Sequence, residues 1–243
     1  MAGPLEQFEI QSWSAPLFKL GGASISFTNS AAFMVAAALA ASAFMLVGGA
    51  RKEMVPGRWQ GMSEMLYEMI SNMVRDNIGD AGRKYFPFIF SLFVFILFGN
   101  LIGMLPYSFT FTSHLAVTFT MAAVVFVAVT LIGLFKHGLH FFSLFFPHGA
   151  PWWTAPILIP IELVSYLSRP VSLAVRLFAN MTVGHVLLKV LAGFVIMLGV
   201  LGGWLPLLVL VGITALEFLV AGLQAYIFAI LCCIYLNDSL HLH

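Results

Sequence analysis

Apolar runs free of charge recur along this chain, and a helix needs ~20 such residues to cross the hydrocarbon core of a bilayer. Ala31 to Ala50 is the first run, Tyr85 to Leu105 (ended by Pro106) the second, and Leu115 to Phe135 (closed by Lys136 and His137) the third. After a loop with Pro147, Gly149 and Pro151, the chain is almost continuously apolar from Trp152 to Leu236. Only Glu162, Arg169, Arg176, Lys189 and Glu217 interrupt it with charge. That stretch is too long for one crossing. Gly199, Gly202 and Gly203, followed by Trp204 and Pro206, mark the natural turn. Two long helices are therefore predicted, about Pro156 to Val200 and Leu205 to Asn237.

One segment carries a different pattern. Between Trp59 and Ile78 the residues Met62, Met65, Leu66, Met69, Ile70 and Met73 recur at i, i+3 and i+4. Glu64, Glu68, Asn72 and Arg75 fall on the other side. This is the signature of an amphipathic helix (59–79) lying on a membrane surface rather than crossing it. In the second run, Gly99 and Gly103 flank Asn100 at a spacing of four, which permits close helix contact. The expected fold is an all-α membrane protein: five apolar membrane helices plus one amphipathic surface helix, the last two long helices forming a tilted hairpin. It reads as a single integral membrane domain, 1–243, with an N-terminal segment 1–30, a helical hairpin 85–136 and the long hairpin 152–237.

Composition agrees with lipid as the surrounding solvent. Of 243 residues, 61% are hydrophobic and 9% charged, against roughly 25% charged in soluble proteins. The formal net charge of +1 argues against a nucleic-acid partner. Cys232 and Cys233 are adjacent within an apolar run and read as small core or lipid-facing residues. No secretory signal is apparent: Glu6, Glu9 and Lys19 precede the first run without a basic n-region. No P-loop pattern is present, so no nucleotide binding is expected. Arg51, Lys52, Arg58, Arg83, Lys84 and Lys136 gather on one side of the predicted spans. By the positive-inside rule that side is cytoplasmic or its equivalent. The N-terminus and the Gly202–Gly203 turn then lie outside, and the C-terminus inside.

The charges of the last two helices carry the chemistry. An arginine at mid-membrane costs ~2.5–3.5 kcal/mol on insertion scales. It cannot shed its proton, because its pKa stays above ~12. Arg169 sits where its stem can reach the inner interface, whereas Arg176 lies seven residues on, roughly 10 Å deeper. The bland reading of Arg176 is an arginine paired with a neighbouring carboxylate to hold helices together. Intramembrane ionisable groups are functional by default, which favours the other reading. At ~100° per residue, Glu162, Arg169, Arg176 and Asn180 share a stripe on the first long helix, and Glu217, Gln224 and Tyr235 align on the second. In an antiparallel hairpin, facing residue numbers have a constant sum. Arg176 with Gln224 gives 400 and His185 with Glu217 gives 402, both centred in the glycine-rich turn. Glutamate and histidine exchange protons near neutral pH, while a fixed guanidinium repels them. The arrangement reads as a proton path ending at an electrostatic barrier.

These residues resemble a known family. The stretch Ser168-Arg-Pro-Val-Ser-Leu-Ala-Val-Arg-Leu-Phe-Ala-Asn-Met-Thr-Val-Gly-His185 looks like the signature helix of subunit a of F-type ATP synthases. Glu217-Phe-Leu-Val-Ala-Gly-Leu-Gln-Ala-Tyr-Ile-Phe228 resembles that family's final helix, and Asn100-Leu-Ile-Gly-Met-Leu-Pro106 its second span. The resemblance implies a stator subunit holding two half-channels against a rotating ring of c subunits, beside peripheral-stalk b-type subunits and the rest of the complex. By it, Arg176 faces the ring carboxylate and separates the half-channels, and His185 and Glu217 line the outer one. Asn180 and Gln224 match polar positions near the arginine, and Glu162 and Tyr235 match positions toward the inner side. Some members carry the acidic and imidazole groups in exchanged positions. Lys189 stands where certain members have a metal-binding histidine, so no zinc site carries over. No cofactor and no metal are implied.

Two other classes fit less well. A proton-coupled secondary transporter usually shows inverted repeats and helices broken at mid-membrane, and no repeat is visible here. A structural membrane subunit would leave the whole set of aligned polar residues unexplained. His137, His140, His241 and His243 are too loosely spaced to suggest metal ligands.

Overall fold

A computed structural model of the chain describes residues 18–20, 23–50, 55–105, 108–138, 141 and 152–240. Arg51, Lys52, Glu53, Pro106, His140, Pro147, Gly149, Pro151, His241, His243 and residues 1–17 lie outside these. The five apolar runs become helices: α1 (Asn29–Ala50), α3 (Phe86–Gly103), α4 (Leu115–His137), α5 (Ala155–Gly202) and α6 (Trp204–Leu240). All five are long and apolar enough to cross a membrane. In lipid only helices and closed barrels satisfy every backbone N–H and C=O internally, which is why these runs take no other form. The all-α reading therefore holds, with one addition. A small antiparallel hairpin, β1 (Phe18–Leu20) and β2 (Ala23–Ile25), precedes α1 with Lys19 opposite Ser24. Thr28 then starts α1, its Oγ1 accepting from the Ala31 N–H at 3.4 Å.

The predicted bounds hold to within a few residues. α5 is continuous to Gly199, whose φ of 60° and ψ of −157° break the helix and which only glycine adopts without strain. The Gly203 N–H then bonds the Gly199 carbonyl at 2.8 Å, closing the turn into α6. From Ala155 to Gly199 is 45 residues, about 68 Å of helix at 1.5 Å per residue. That is more than twice the ~30 Å hydrocarbon core, so α5 lies far from the membrane normal.

The chain direction gives the bundle two ends. At the turn end are the α5–α6 turn, the 3-10 turn Phe111–Ser113 and the start of α1. At the basic end are α2 (Arg58–Ile78), Arg83, Lys84, Lys136 and the C-terminal turn of α6. Helix α6 is central and packs against α2, α3, α4 and α5. Its buried stripe of Ala221, Ala225, Phe228, Ala229, Cys232 and Cys233 is fully enclosed, so the two cysteines are core residues. Small side chains on α6 let the backbones approach, and close packing then supplies the attraction that apolar burial cannot supply between helices in lipid.

Helix α2 is the sixth, amphipathic helix, outside the five apolar enough to cross a membrane. Its predicted apolar face is split between two environments. Ile70, Met73, Val74 and Ile78 are buried in the main core with Leu66 packed beside them, and Met73 Sδ lies 3.9 Å from Cys233 Sγ of α6. Met62, Met65 and Met69 are exposed. The bundle thus holds one edge of the amphipathic face and leaves the other outside. The glycine pair of α3 is also used differently from expected. Gly99 and Gly103 receive the side chains of Phe111 and Thr110 from the chain that follows α3, rather than another helix.

A Cβ built on Gly99 would sit 2.5 Å from Phe111 Cζ, and the phenyl ring, 1% exposed, has no room to retreat. Gly99→Val should therefore destabilise the protein by about 1–3 kcal/mol, the usual cost of overpacking. Thermal unfolding in detergent would show a lower midpoint than wild type; an unchanged midpoint would mean that the turn does not seat on α3 as described.

Candidate functional site

The polar residues of α5 and α6 form a column along the hairpin. Its turn-end station is built from three segments. Glu217 of α6 is buried, with its side chain 4% exposed, and its Oε1 lies 3.7 Å from Nδ1 of His185, itself 12% exposed. That is ion-pair range but longer than a hydrogen bond. Gly184 lets this happen, because a Cβ there would collide with Glu217 Oε1. The other face of the imidazole is held from the α3–α4 connection, where Thr110 Oγ1 lies 2.9 Å from His185 Nε2. Thr182 Oγ1 donates to the Ser113 carbonyl at 3.2 Å and ties the same turn to α5. Nearby, burial holds the His114 imidazole below its ordinary range, so it stays neutral at pH 7, and its ring stacks on Phe109 at 5.0 Å.

One station further along, Asn180 Nδ2 donates to Gln224 Oε1 at 2.7 Å. Gln224 is 1% exposed, and its Nε2 is buried without a hydrogen-bond partner among the described residues. Asn100 of α3 reaches the same stretch of α6, its Nδ2 donating to the Ala221 carbonyl at 3.2 Å.

At the basic end, Arg169 is gripped on several sides. Its Nη1 donates to Asp238 Oδ2 at 2.9 Å. The guanidinium carbon lies 5.6 Å from the centroid of Tyr166 and 5.1 Å from that of Tyr235. Tyr166 is in turn hydrogen-bonded to Thr130 of α4 at 2.7 Å. Lys136 Nζ donates to the Leu240 carbonyl at 2.9 Å, and His137 Nε2 lies 3.1 Å from it. A cation thus closes the C-terminus of α6, where the helix dipole favours one.

Arg176 differs from all of these. It is exposed on α5, on one helical face with the exposed Ser172, Asn180, Val183 and Leu187. No hydrogen bond or ion pair to it occurs among the described residues. The intramolecular carboxylate partner of the bland reading is therefore not found among them. Glu162 lies half-buried nearer the start of α5 and joins none of the three stations. Tyr235 is brought in, but as a ring over Arg169.

The constant-sum reasoning holds at one station and drifts beyond it. His185 with Glu217 sums to 402 as expected. Gln224 bonds Asn180, for a sum of 404, rather than Arg176. Arg169 with Asp238 sums to 407. The sum grows by two and then by three, so the two helices do not keep strict register away from the turn. Thr110, Tyr166 and Asp238 are the site residues that sequence reasoning missed. Tyr166 carried a signal, being three residues before Arg169 on the same face. Thr110 is placed by a tertiary fold that no local period encodes.

Fold and column together define an integral membrane protein whose ionisable groups are strung along one long helical hairpin. Comparison with known proteins makes this specific. The chain matches the family of the ATP synthase A chain over residues 31–237. It is 59% identical over 243 residues to ATP synthase subunit a of Rhodospirillum rubrum, covering 100% of both chains. It is 59% identical over 249 residues to that of Paramagnetospirillum magneticum, again with 100% of both covered. It is 52% identical over 240 residues to that of Pelagibacter ubique, covering 99% of this chain and 98% of the other. The chain belongs to the ATP synthase A chain family, a membrane component of the proton-transporting ATP synthase and not its catalytic subunit.

The Arg169–Asp238 contact is partly exposed, with side chains 27% and 38% accessible, so its net worth is modest, about 1 kcal/mol. A double-mutant cycle of Arg169→Ala and Asp238→Ala, read by thermal unfolding, should give a coupling of that order. Strictly additive effects would show that the pair contributes nothing.

Proposed function

We propose that this chain is the fixed proton-path subunit of the Fo sector, with an inlet and an outlet half-channel separated by Arg176 and facing a rotating ring of c subunits. The observation that carries this reading is Arg176 itself: a permanent cation exposed on a helix apolar enough to cross a membrane, without an anion from the described residues. Water would stabilise such a charge on a soluble protein, and a lipid core does not. A carboxylate presented by another chain resolves the conflict, and a c-ring supplies one at each step of rotation.

The turn end is taken as outer and the basic end as inner, in keeping with Arg58, Arg83, Lys84 and Lys136 at the latter. On this orientation His185 and Glu217 form the inlet station, which Asn180 and Gln224 extend toward the arginine. Both groups are proton carriers, 3.7 Å apart, and direct transfer needs that gap to close by about half an ångström. Glu217 also keeps two carboxylate oxygens, and Gln224 its Nε2, with hydrogen-bonding capacity unused among the described residues. The outlet runs toward the basic end past Tyr235 and Glu162. A ring carboxylate arriving from the inlet is protonated, crosses lipid as a neutral acid, and returns to Arg176. There the guanidinium favours the ionised form and the proton leaves by the outlet. The same fixed charge opposes any proton passing directly from one half-channel to the other. The partners of the reading are the c-ring, peripheral-stalk b-type subunits and the rest of the complex, in an energy-coupling membrane.

Replacing Arg176 by alanine tests this directly. In inverted vesicles, Arg176→Ala should reduce ATP-driven proton uptake to background while the complex still assembles. Uptake at the wild-type rate by that variant would overturn the reading.

A further inference from the structure

The hydroxyl of Thr110 has one hydrogen and two neighbours. It lies 2.9 Å from the Gly103 carbonyl and 2.9 Å from His185 Nε2. The carbonyl accepts and never donates, so the first contact is favourable only if Thr110 gives its hydrogen there. Gly103 is the last residue of α3, where the negative end of the helix dipole strengthens that preference. Were the hydrogen turned to the imidazole instead, two oxygen lone pairs would face each other at 2.9 Å. With its hydrogen committed, Thr110 offers His185 only a lone pair, and Nε2 must be the donor.

We infer that Thr110 is a positioning residue that fixes neutral His185 as its Nε2–H tautomer and so turns a bare Nδ1 toward Glu217. The inference rests on the proton-path reading for its functional consequence, but not for the tautomer. The consequence follows from Nδ1 being the nitrogen 3.7 Å from Glu217 Oε1. In the transfer the carboxyl O–H bond of Glu217 breaks and an Nδ1–H bond forms, leaving a carboxylate and an imidazolium. Because Nε2 keeps its own proton against Thr110, the imidazolium gives up its proton from Nδ1, the atom that received it. His185 is thus a one-sided station, not a pass-through relay from Nδ1 to Nε2. Ionisable groups interacting with His185 include Glu217 from α6 and Lys189 from α5; the α3–α4 connection contributes the Thr110 hydroxyl and carries His114 further along.

The intact complex in lipid, labelled with 15N-histidine, separates the two tautomers by solid-state NMR, with His185→Gln as the reference that assigns the signal. The wild type should show His185 protonated on Nε2 and bare on Nδ1. Thr110→Val removes the acceptor at nearly constant volume, so an Nδ1–H population should appear, donating to the Glu217 carboxylate. Proton uptake should fall roughly ten-fold, with a displaced pH profile, since well-placed proton transfer contributes at least that much. Thr110→Ser, which keeps the hydroxyl, should restore both signals. A wild-type Nδ1–H tautomer, or a tautomer unchanged in Thr110→Val, overturns the inference. If instead the tautomer behaves as stated but neither Thr110→Val nor His185→Gln alters uptake, the assignment of Thr110 stands and the proton-path reading of His185 fails.

Discussion

A guanidinium keeps its charge at any pH the protein meets, and a bilayer core provides nothing to neutralise it. Most of the hairpin can be read as an answer to that constraint. Arg169 and Arg176 are seven residues apart on α5, two turns of helix and nearly the same angular position. Arg169 is satisfied from within the chain by a carboxylate and two aromatic faces. Arg176 is left on the surface of α5, without an anion among the described residues. The contrast comes from α6, which crosses α5 so that its final turns approach Arg169 and bring Asp238 to it. Further along, Asn180 of α5 takes the Gln224 amide of α6. Nothing acidic on α6 is level with Arg176.

The neighbouring stations obey the opposite rule. Polar groups that titrate or hydrogen-bond are turned inward, where low dielectric strengthens each contact and penalises each unmade one. The sequence achieves this with small residues beside large polar ones. Gly184 clears space for Glu217, and Gly103 for Thr110. Both glycines stand next to a polar side chain: Gly184 lets α5 and α6 meet closely at Glu217, and Gly103 seats the chain between α3 and α4 on the end of α3. Larger side chains would move Glu217 and His185 apart, and proton transfer is steep in that distance.

The helices, the turn at the glycines and the charged stripe were legible because each depends on local composition and a period of 3.6 residues. The level of His185 with Glu217 was legible too, because an antiparallel hairpin counts residues symmetrically close to its turn. Legibility decayed with distance from that turn. Away from the turn the pairing shifts, enough by residue 169 to bring in Asp238 in place of the residue a strict register would select. The split face of α2 was hidden for another reason. Periodicity reports that a face is apolar, whereas only packing decides which part of it meets protein. Thr110 was invisible because its role is set by the return of the chain onto Gly99 and Gly103, a contact made by shape.

An arginine rather than a lysine at position 176 suits the proposed role on physical grounds. A buried lysine lowers the cost of its site by losing its proton, and an electrostatic barrier that can neutralise itself is no barrier. The guanidinium cannot do so, and its planar fork offers donors to a carboxylate from more than one direction. A passing carboxylate can then exchange one pair of contacts for another without a stage in which the cation is bare. The attraction must also remain weak enough for release. A fully enclosed ion pair costs several kcal/mol to break, whereas a half-exposed one like Arg169–Asp238 costs far less. Placing Arg176 on the surface of the hairpin, not within it, keeps its partner exchangeable. The exposure that makes the residue expensive in lipid is the property that a moving partner requires.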